Sequence, residues 1–313
     1  MSRYGGPSAG QQHLANALTV CAELPGIAQH RPVTRGVSMR FAINVPNFGD
    51  YADPRVTAEL AVFAEQAGWD GFFVWDHINA ASEPTSPLAD PWVLLTAVAL
   101  ATERVRIGTM VTPLARRRPW KLARETVTID RLCGGRLVLG VGLGFPPDRE
   151  FTAFGEESDA RRRAEKLDEG LEVLTGLWSG ETLDFHGEHY SVSGVRFLPT
   201  PLQRPRIPVW VATMYPHRRP LRRAARWDGL VPMHETNMFP TPDEVREMVA
   251  LARSHRRDDA PFDVNVPLVL TAGRADAEQL ARDYRASGAT WLQVGAWTID
   301  ELRTRIAAGP PSV

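Results

Sequence analysis

Residues equipped for chemistry are few in this chain, and most stand where an apolar run stops. Asp76 and His77 follow the stretch Gly71-Phe-Phe-Val-Trp75. Gly140, Gly142 and Gly144 alternate at the end of the run that begins Leu137-Val-Leu139. Glycine weakens a strand, so a set of them suggests that another backbone or a flat ligand comes very close; tight packing is the alternative. Asn47, Thr109, Thr112, Thr213, His234, Thr271 and Gln293 complete the group. Only His77 is placed to exchange a proton near neutral pH, since an unperturbed imidazole titrates at about 6.5.

The omissions are as informative. No His-x-His follows the first apolar run and no carboxylate cluster suits a metal, so metal-assisted hydrolysis is not expected. His186 and His189 could form a pair, but no third ligand is near, and the two read as loop polarity; no metal is expected. No strand-end lysine is placed for a Schiff base. Asp76 is the only strand-end acid, which argues against paired-carboxylate glycoside hydrolysis. A site so poor in reactive side chains suggests that a bound cofactor does the hard chemistry.

The elements that must position these residues follow a rhythm that begins at Arg40. Phe41–Val45 reads as a strand, and Asp53-Pro54 caps the helix after it. Gly71–Trp75 is the second strand, and Asp90-Pro91 opens a helix that runs through Ala101. Val105–Val111 is the third strand, residues 118–132 the third helix, and the glycine run the fourth strand. A long helix covers 157–178; its Arg161–Arg163 alternate with Glu165 and Glu169, a solvated, ion-paired face. Leu183–Val192 reads as a small hairpin turning near Gly187. The rhythm resumes with strands at Pro208–Thr213, Leu230–Pro232, Val264–Thr271 and Trp291–Val294, with helices at Pro220–Trp227, Asp243–Arg256, Ala275–Ser287 and Asp300–Ala307. Strand then helix, about eight times over, is the α/β pattern of a single (β/α)8 TIM barrel, with a short hairpin insertion after the fourth helix. An open doubly wound sheet would need a Gly-x-Gly-x-x-Gly turn after its first strand, which Asn44–Asp50 lacks. The expected division is a poorly ordered extension over 1–38, with Met39 as the working start, and the barrel over 39–313.

Composition narrows the class further. The chain has 313 residues, 43% of them hydrophobic, and a formal net charge of −1. Near-neutral charge gives no general pull toward nucleic acid or anionic membrane. No apolar run approaches the ~20 residues that span a bilayer. Cys21 and Cys133 have neither metal spacing nor a disulfide framework, which fits a reducing cytoplasm.

Several ordered motifs resemble the luciferase-like flavin-dependent oxidoreductases. They are Trp75-Asp-His77, Arg106-Ile-Gly-Thr-Met-Val-Thr-Pro113 and Asp130-Arg-Leu-Cys-Gly-Gly-Arg-Leu-Val-Leu-Gly-Val-Gly142. Glu150-Phe-Thr-Ala-Phe-Gly155, the Asp168 to Trp178 helix, Pro208–Ala212, Ala224–Gly229 and Gly309-Pro-Pro311 carry it to residue 311. The resemblance implies a barrel that binds reduced FMN or the deazaflavin coenzyme F420 at its C-terminal mouth. It implies an oxidoreductase of the monooxygenase type, acting on paired donors with a small organic substrate. It places a non-proline cis peptide at Met110-Val111, behind the isoalloxazine ring, with Thr109, Gly142 and Gly144 close to the cofactor. Ala212, Thr213 and Met214 and the helix start after them, with Arg218 as a charge partner, would hold the phosphate. His77 matches the histidine near the reacting carbon in deazaflavin-using members; Asp76 would orient its ring or contact the pyrimidine end.

The chain departs from the pattern in three places. Ala212-Thr-Met-Tyr215 replaces a Gly-Gly pair, Phe145 stands where the sugar-phosphate dehydrogenase branch has an acid, and Gln293 stands where relatives often have an acid. Expected partners are a small-molecule substrate, a separate flavin or F420 reductase and a second copy of the chain, without nucleic acid or membrane. The alternative is a flavin-binding barrel without turnover, for storage or sensing.

Overall fold

Alternation of apolar side chains decides the architecture. In β1 (Arg40–Val45), Ile43 and Val45 face outward to the helices while Ala42 faces inward. The same period of two puts Phe72 and Val74 outside and Phe73 inside on β2 (Gly71–Val74). A strand buried on both faces needs apolar residues at both phases, which is why these runs are nearly continuous. The computed structural model describes residues 39–79, 86–237, 239–268 and 274–313.

The remaining strands are β3 (Arg106–Pro113), β4 (Leu137–Gly142), β5 (Thr182–His186), β6 (Ser191–Arg196), β7 (Val209–Tyr215), β8 (Gly229–His234), β9 (Asp263–Leu268) and β10 (Trp291–Val294). Eight of them close a parallel barrel in the order β1-β2-β3-β4-β7-β8-β9-β10, with β10 back against β1. Helices α1 (Pro54–Gln66), α2 (Pro91–Ala101), α3 (Pro119–Leu132), α4 (Pro147–Glu150), α5 (Ala160–Ser179), α6 (Arg218–Ala224), α7 (Pro242–Ser254) and α8 (Arg274–Ala286) lie between strands, and α9 (Ile299–Ala307) follows β10. The expected caps are present: Asp53 accepts from Arg55 N, and Asp90 from Trp92 N and Val93 N, each beside a proline at the first helical position.

The barrel interior is filled by Phe73, Trp210 and Trp291, whose ring centroids lie 5.5 to 6.1 Å apart, with Met110, Val138 and Val231 around them. This packed floor leaves the C-terminal mouth as the place for a ligand.

Several boundaries differ from expectation by one to three residues. The long helix starts at Ala160, capped by Asp159, rather than at 157. Helix α6 begins at Arg218, two residues before Pro220, because proline is tolerated in a first turn. Strand β9 is described over Asp263–Leu268, and its expected end at Thr271 lies outside the described residues. The hairpin is formed by β5 and β6, antiparallel, with residues 187–190 between them.

Candidate active site

The sites of chemistry begin where β2 ends. Asn47, fully buried in the segment after β1, brackets the His77 backbone: Nδ2 donates to His77 O at 2.8 Å and Oδ1 accepts from His77 N at 3.2 Å. Its other Nδ2 hydrogen donates to Ala89 O at 2.7 Å. A single buried amide therefore ties three segments of the mouth together and fixes where His77 starts.

The carboxylate of Asp76 is buried among cations. Arg116 donates to Oδ1 at 2.6 Å, Arg117 to both oxygens at 2.8 and 3.1 Å, and Thr112 Oγ to Oδ2 at 2.7 Å. Thr109 Oγ accepts or donates within the same chain of hydroxyls, 2.9 Å from Thr112 Oγ, and reaches Gly140 O at 3.2 Å. Asp76, Thr109 and Thr112 are thus committed to protein partners. The expectation that Asp76 orients the His77 ring gives way to a different residue.

That residue is Glu150, at the end of α4 and fully buried. Its Oε1 lies 3.1 Å from His77 Nδ1 and accepts from the backbone N–H groups of Ile78 and Asn79 at 3.2 and 3.3 Å. Its Oε2 is paired with Arg116 Nη1. Arg116, from the turn Leu114–Arg116 after β3, bridges both acids. Since a carboxylate so held can only accept, Nδ1 of His77 carries the hydrogen and Nε2 carries the lone pair. Burial pushes the His77 ring down to about 4; the Asp76 charge pulls upward and the Arg116 guanidinium adds to the fall. Hence the imidazole is neutral across the physiological range. Among the described residues no group bonds its Nε2. The ring is 22% exposed and stands among the edges of Phe48, Trp75 and, beyond Trp75, Trp297, with successive centroids 5.8 to 6.2 Å apart.

The second part of the mouth is built on a bulge. Thr109 pairs with Leu139 and Thr112 with Val141, so three steps along β3 match two along β4. The peptide between Met110 and Val111 inside that bulge is cis, as the resemblance implied. Behind it lie the glycines of β4. A Cβ on Gly140 would meet Thr109 O at 2.2 Å, and one on Gly142 would meet Val111 Cγ2 at 2.7 Å and Ala212 Cβ at 3.3 Å. Gly144 has φ +84°, and its Cβ would meet Phe151 at 2.8 Å. Of the two readings of these glycines, the structure favours packing: protein atoms fill the space that the missing side chains leave.

On the opposite wall, β9, β10 and β1 carry buried amides without partners: Asn265 Oδ1, both polar atoms of Gln293, and Asn44 Oδ1. Asn265 Nδ2 approaches Met110 Sδ at 3.5 Å, and Gln293, two residues after the inward Trp291, shares its face. Unpaired buried amides are costly. Donors and acceptors opposite an apolar bulge fit a flat heterocycle with one polar edge. The residues present therefore fit a flavin or deazaflavin ring: Met110 and Val111 would back it, and Asn44, Asn265 and Gln293 would pair with its polar edge.

The remaining expected residues are scattered. Thr213 is buried with its hydroxyl toward Val231 O, away from the interior phase of Trp210 and Ala212. Ala212 and Met214 are half-buried, and Arg218 is exposed at the start of α6. His234 is committed to its own turn, accepting from Thr236 N and Asn237 N. Sequence reasoning missed Glu150, Arg116 and Arg117 as site residues. Glu150 stood inside a quoted motif without a role, and an acid followed at once by Phe151 was its only local signal.

A closed eight-stranded parallel barrel with its polar residues at the C-terminal mouth defines a (β/α)8 barrel. The chain belongs to the luciferase-like monooxygenase family, whose model matches residues 39–308. It is similar to the F420-dependent glucose-6-phosphate dehydrogenase of Rhodococcus hoagii (strain 103S), 33% identical over 184 residues, which are 58% of this chain and 52% of that protein. The chain spans about half the length of such curated relatives. Its fold is similar to that of an F420-dependent secondary alcohol dehydrogenase in complex with an F420-acetone adduct, with TM-score 0.74 and 16% identity over 87% of this chain and 98% of that one. The monooxygenase RslO1 from Streptomyces bottropensis has TM-score 0.67 and 23% identity over 86% and 96%.

Proposed function

We propose that the chain is an oxidoreductase that exchanges a hydride between the deazaflavin coenzyme F420 and a small, largely apolar alcohol or carbonyl compound. The observation that carries this reading is His77: a neutral ring, its Nδ1–H held by Glu150 and its Nε2 unbonded among the described residues. Bound against the bulge, the deazaflavin supplies two-electron hydride chemistry. His77 Nε2 takes the hydroxyl proton of an alcohol, or returns one to a carbonyl oxygen. Glu150 keeps the lone pair on Nε2 and stabilises the imidazolium that forms, as a buried carboxylate does beside a catalytic histidine. Phe48 and Trp75 flank the ring, with Trp297 beyond Trp75, and these aromatic groups favour an apolar substrate and exclude water.

The names of the first curated relatives support F420 as the coenzyme, yet their sugar phosphate is not carried over. Phe145, 74% exposed, stands where the resemblance puts that branch's acid, and Arg116 and Arg117 are already held by Asp76 and Glu150. A barrel that only stored flavin would gain nothing from a histidine with a fixed tautomer. Turnover needs a second oxidoreductase to return the coenzyme to its starting state.

Titration of the purified protein with F420, FMN and reduced FMN, followed by quenching of tryptophan fluorescence, tests the coenzyme. Binding of F420 in preference to FMN is expected; the reverse, with oxygen uptake, would make the chain a monooxygenase on paired donors. His77→Ala should keep cofactor affinity within a few fold and slow turnover by about 10²–10⁴. Collapse of affinity with turnover intact would move His77 into the binding shell.

A further inference from the structure

The insertion holds a cluster that the barrel chemistry does not use. The loop between β5 and β6 is clasped by Glu169 of α5: Oε1 accepts from Glu188 N at 2.8 Å, and Oε2 from His189 N at 2.8 Å and Tyr190 N at 3.1 Å. Gly187 makes room for that carboxylate, since a Cβ there would lie 2.3 Å from Glu169 Oε2. Glu165 is one turn earlier on the same helix face. The clasp thereby delivers His189 to Glu165, with Glu188 beside them.

His186, the other half of the expected pair, is elsewhere: its Nδ1 meets Ser191 Oγ at 3.0 Å. The sequence offered no third ligand near the His186 and His189 pair; the fold brings two carboxylates close to His189. Nε2 of His189 and carboxylate oxygens of Glu165 and Glu188 all lie within 4.8 Å of one another. The His189 side chain is only 7% exposed, and its buried Nε2 has no hydrogen-bond partner. It faces Glu165 Oε2 at 3.5 Å without hydrogen-bond geometry.

We propose that Glu165, Glu188 and His189 bind a divalent first-row cation of the Zn²⁺ type, which staples the hairpin to α5. A buried imidazole nitrogen that meets a carboxylate at 3.5 Å without hydrogen-bond geometry is poorly satisfied as it stands and well satisfied by a metal. With metal–ligand bonds of ~2.1 Å, neighbouring corners of a tetrahedron lie about 3.4 Å apart, and Nε2 and Oε2 are separated by 3.5 Å. Glu188 is exposed and needs only a side-chain rotation to close the third corner. Arg161 binds the other oxygen of Glu165, Oε1, at 2.9 Å and leaves Oε2 available. One imidazole with two carboxylates suits Zn²⁺ or Mn²⁺ better than Ca²⁺, which takes oxygen ligands alone in larger number.

The test uses the full chain without an affinity tag, stripped with a chelator and titrated calorimetrically with Zn²⁺, Mn²⁺ and Ca²⁺ at pH 7. One saturable Zn²⁺ site is expected, weakened at least about tenfold by Glu188→Gln and by His189→Asn. Zn²⁺ should raise the thermal midpoint of the parent and not of Glu188→Gln. Glu188→Gln alters an exposed side chain, so its folding is not in question. Unchanged Zn²⁺ affinity in both variants, or no saturable binding to the parent, would overturn the site and leave His189 as an ion-pair partner of Glu165 only.

Discussion

Acid should destabilise this protein through His77 in a way that can be isolated. The ring titrates at about 4 in the fold because it is buried beside Arg116, whereas an unfolded chain offers a histidine at about 6.5. Between those values the unfolded state binds the extra proton. The contribution of His77 to stability is therefore whole above pH 6.5 and lost as pH falls toward 4. From pH 7 to pH 5 the loss amounts to about 2 kcal/mol, within a limit of about 3 kcal/mol at still lower pH. The perturbation is His77→Gln, which removes the titrating group; the assay is the urea midpoint of parent and variant at pH 7, 6, 5 and 4.5. The parent should lose about 2 kcal/mol more than the variant between pH 7 and 5, while acid-sensitive groups out of contact with His77 cancel in the difference. Parallel curves would refute the reasoning, since they would mean that His77 protonates as readily folded as unfolded and is charged against Glu150. The activity of the parent should correspondingly stay level down to about pH 5.

Other expectations follow from the same region. Asp76→Asn leaves Arg117 buried against a neutral amide and Arg116 with Glu150 as its one remaining close carboxylate among the described residues, and should cost about 3–5 kcal/mol in a urea titration. Gly142→Ala should cost about 1–3 kcal/mol by crowding Val111, and Val111→Ala in the same chain should recover most of it; no recovery would mean that the glycine serves something other than packing. A chain beginning at Met39 should melt at the same temperature and bind the same coenzyme as the full chain, because the family match begins at residue 39 and the first barrel strand at Arg40; calorimetry on both forms decides it.

The barrel was legible because its signals are local and repeated. Asp53-Pro54 and Asp90-Pro91 announce helix starts, and apolar runs such as Leu137–Leu139 can only be strands buried on both faces. His77 was legible too, since the end of a barrel strand is the mouth whatever the loops do. Its partner was not. Glu150 lies 73 residues from His77, and Arg116 joins it to Asp76 across two further loops. Which acid takes which cation is settled by tertiary placement, so proximity in sequence pointed to Asp76, the neighbour, rather than to Glu150. The glycines of β4 were visible as an anomaly, but only the bulge shows what they accommodate. The approach of Glu165 to His189 was hidden for the same reason, as Glu165 belongs to another element.

Glu150 stands in the connection after β4, and connections at this end of a barrel are the parts that diversify when such proteins acquire new substrates. Here that freedom is curtailed. A transplanted connection that reshaped the entrance but omitted a carboxylate within reach of both His77 and Arg116 would release the histidine to either tautomer and strand a guanidinium. Successful engineering of selectivity should therefore treat the segment in two halves, varying the exposed stretch around Phe145 and Phe154 while holding Pro147–Glu150 as an anchor. Libraries built that way should retain turnover at far higher frequency than whole-segment swaps.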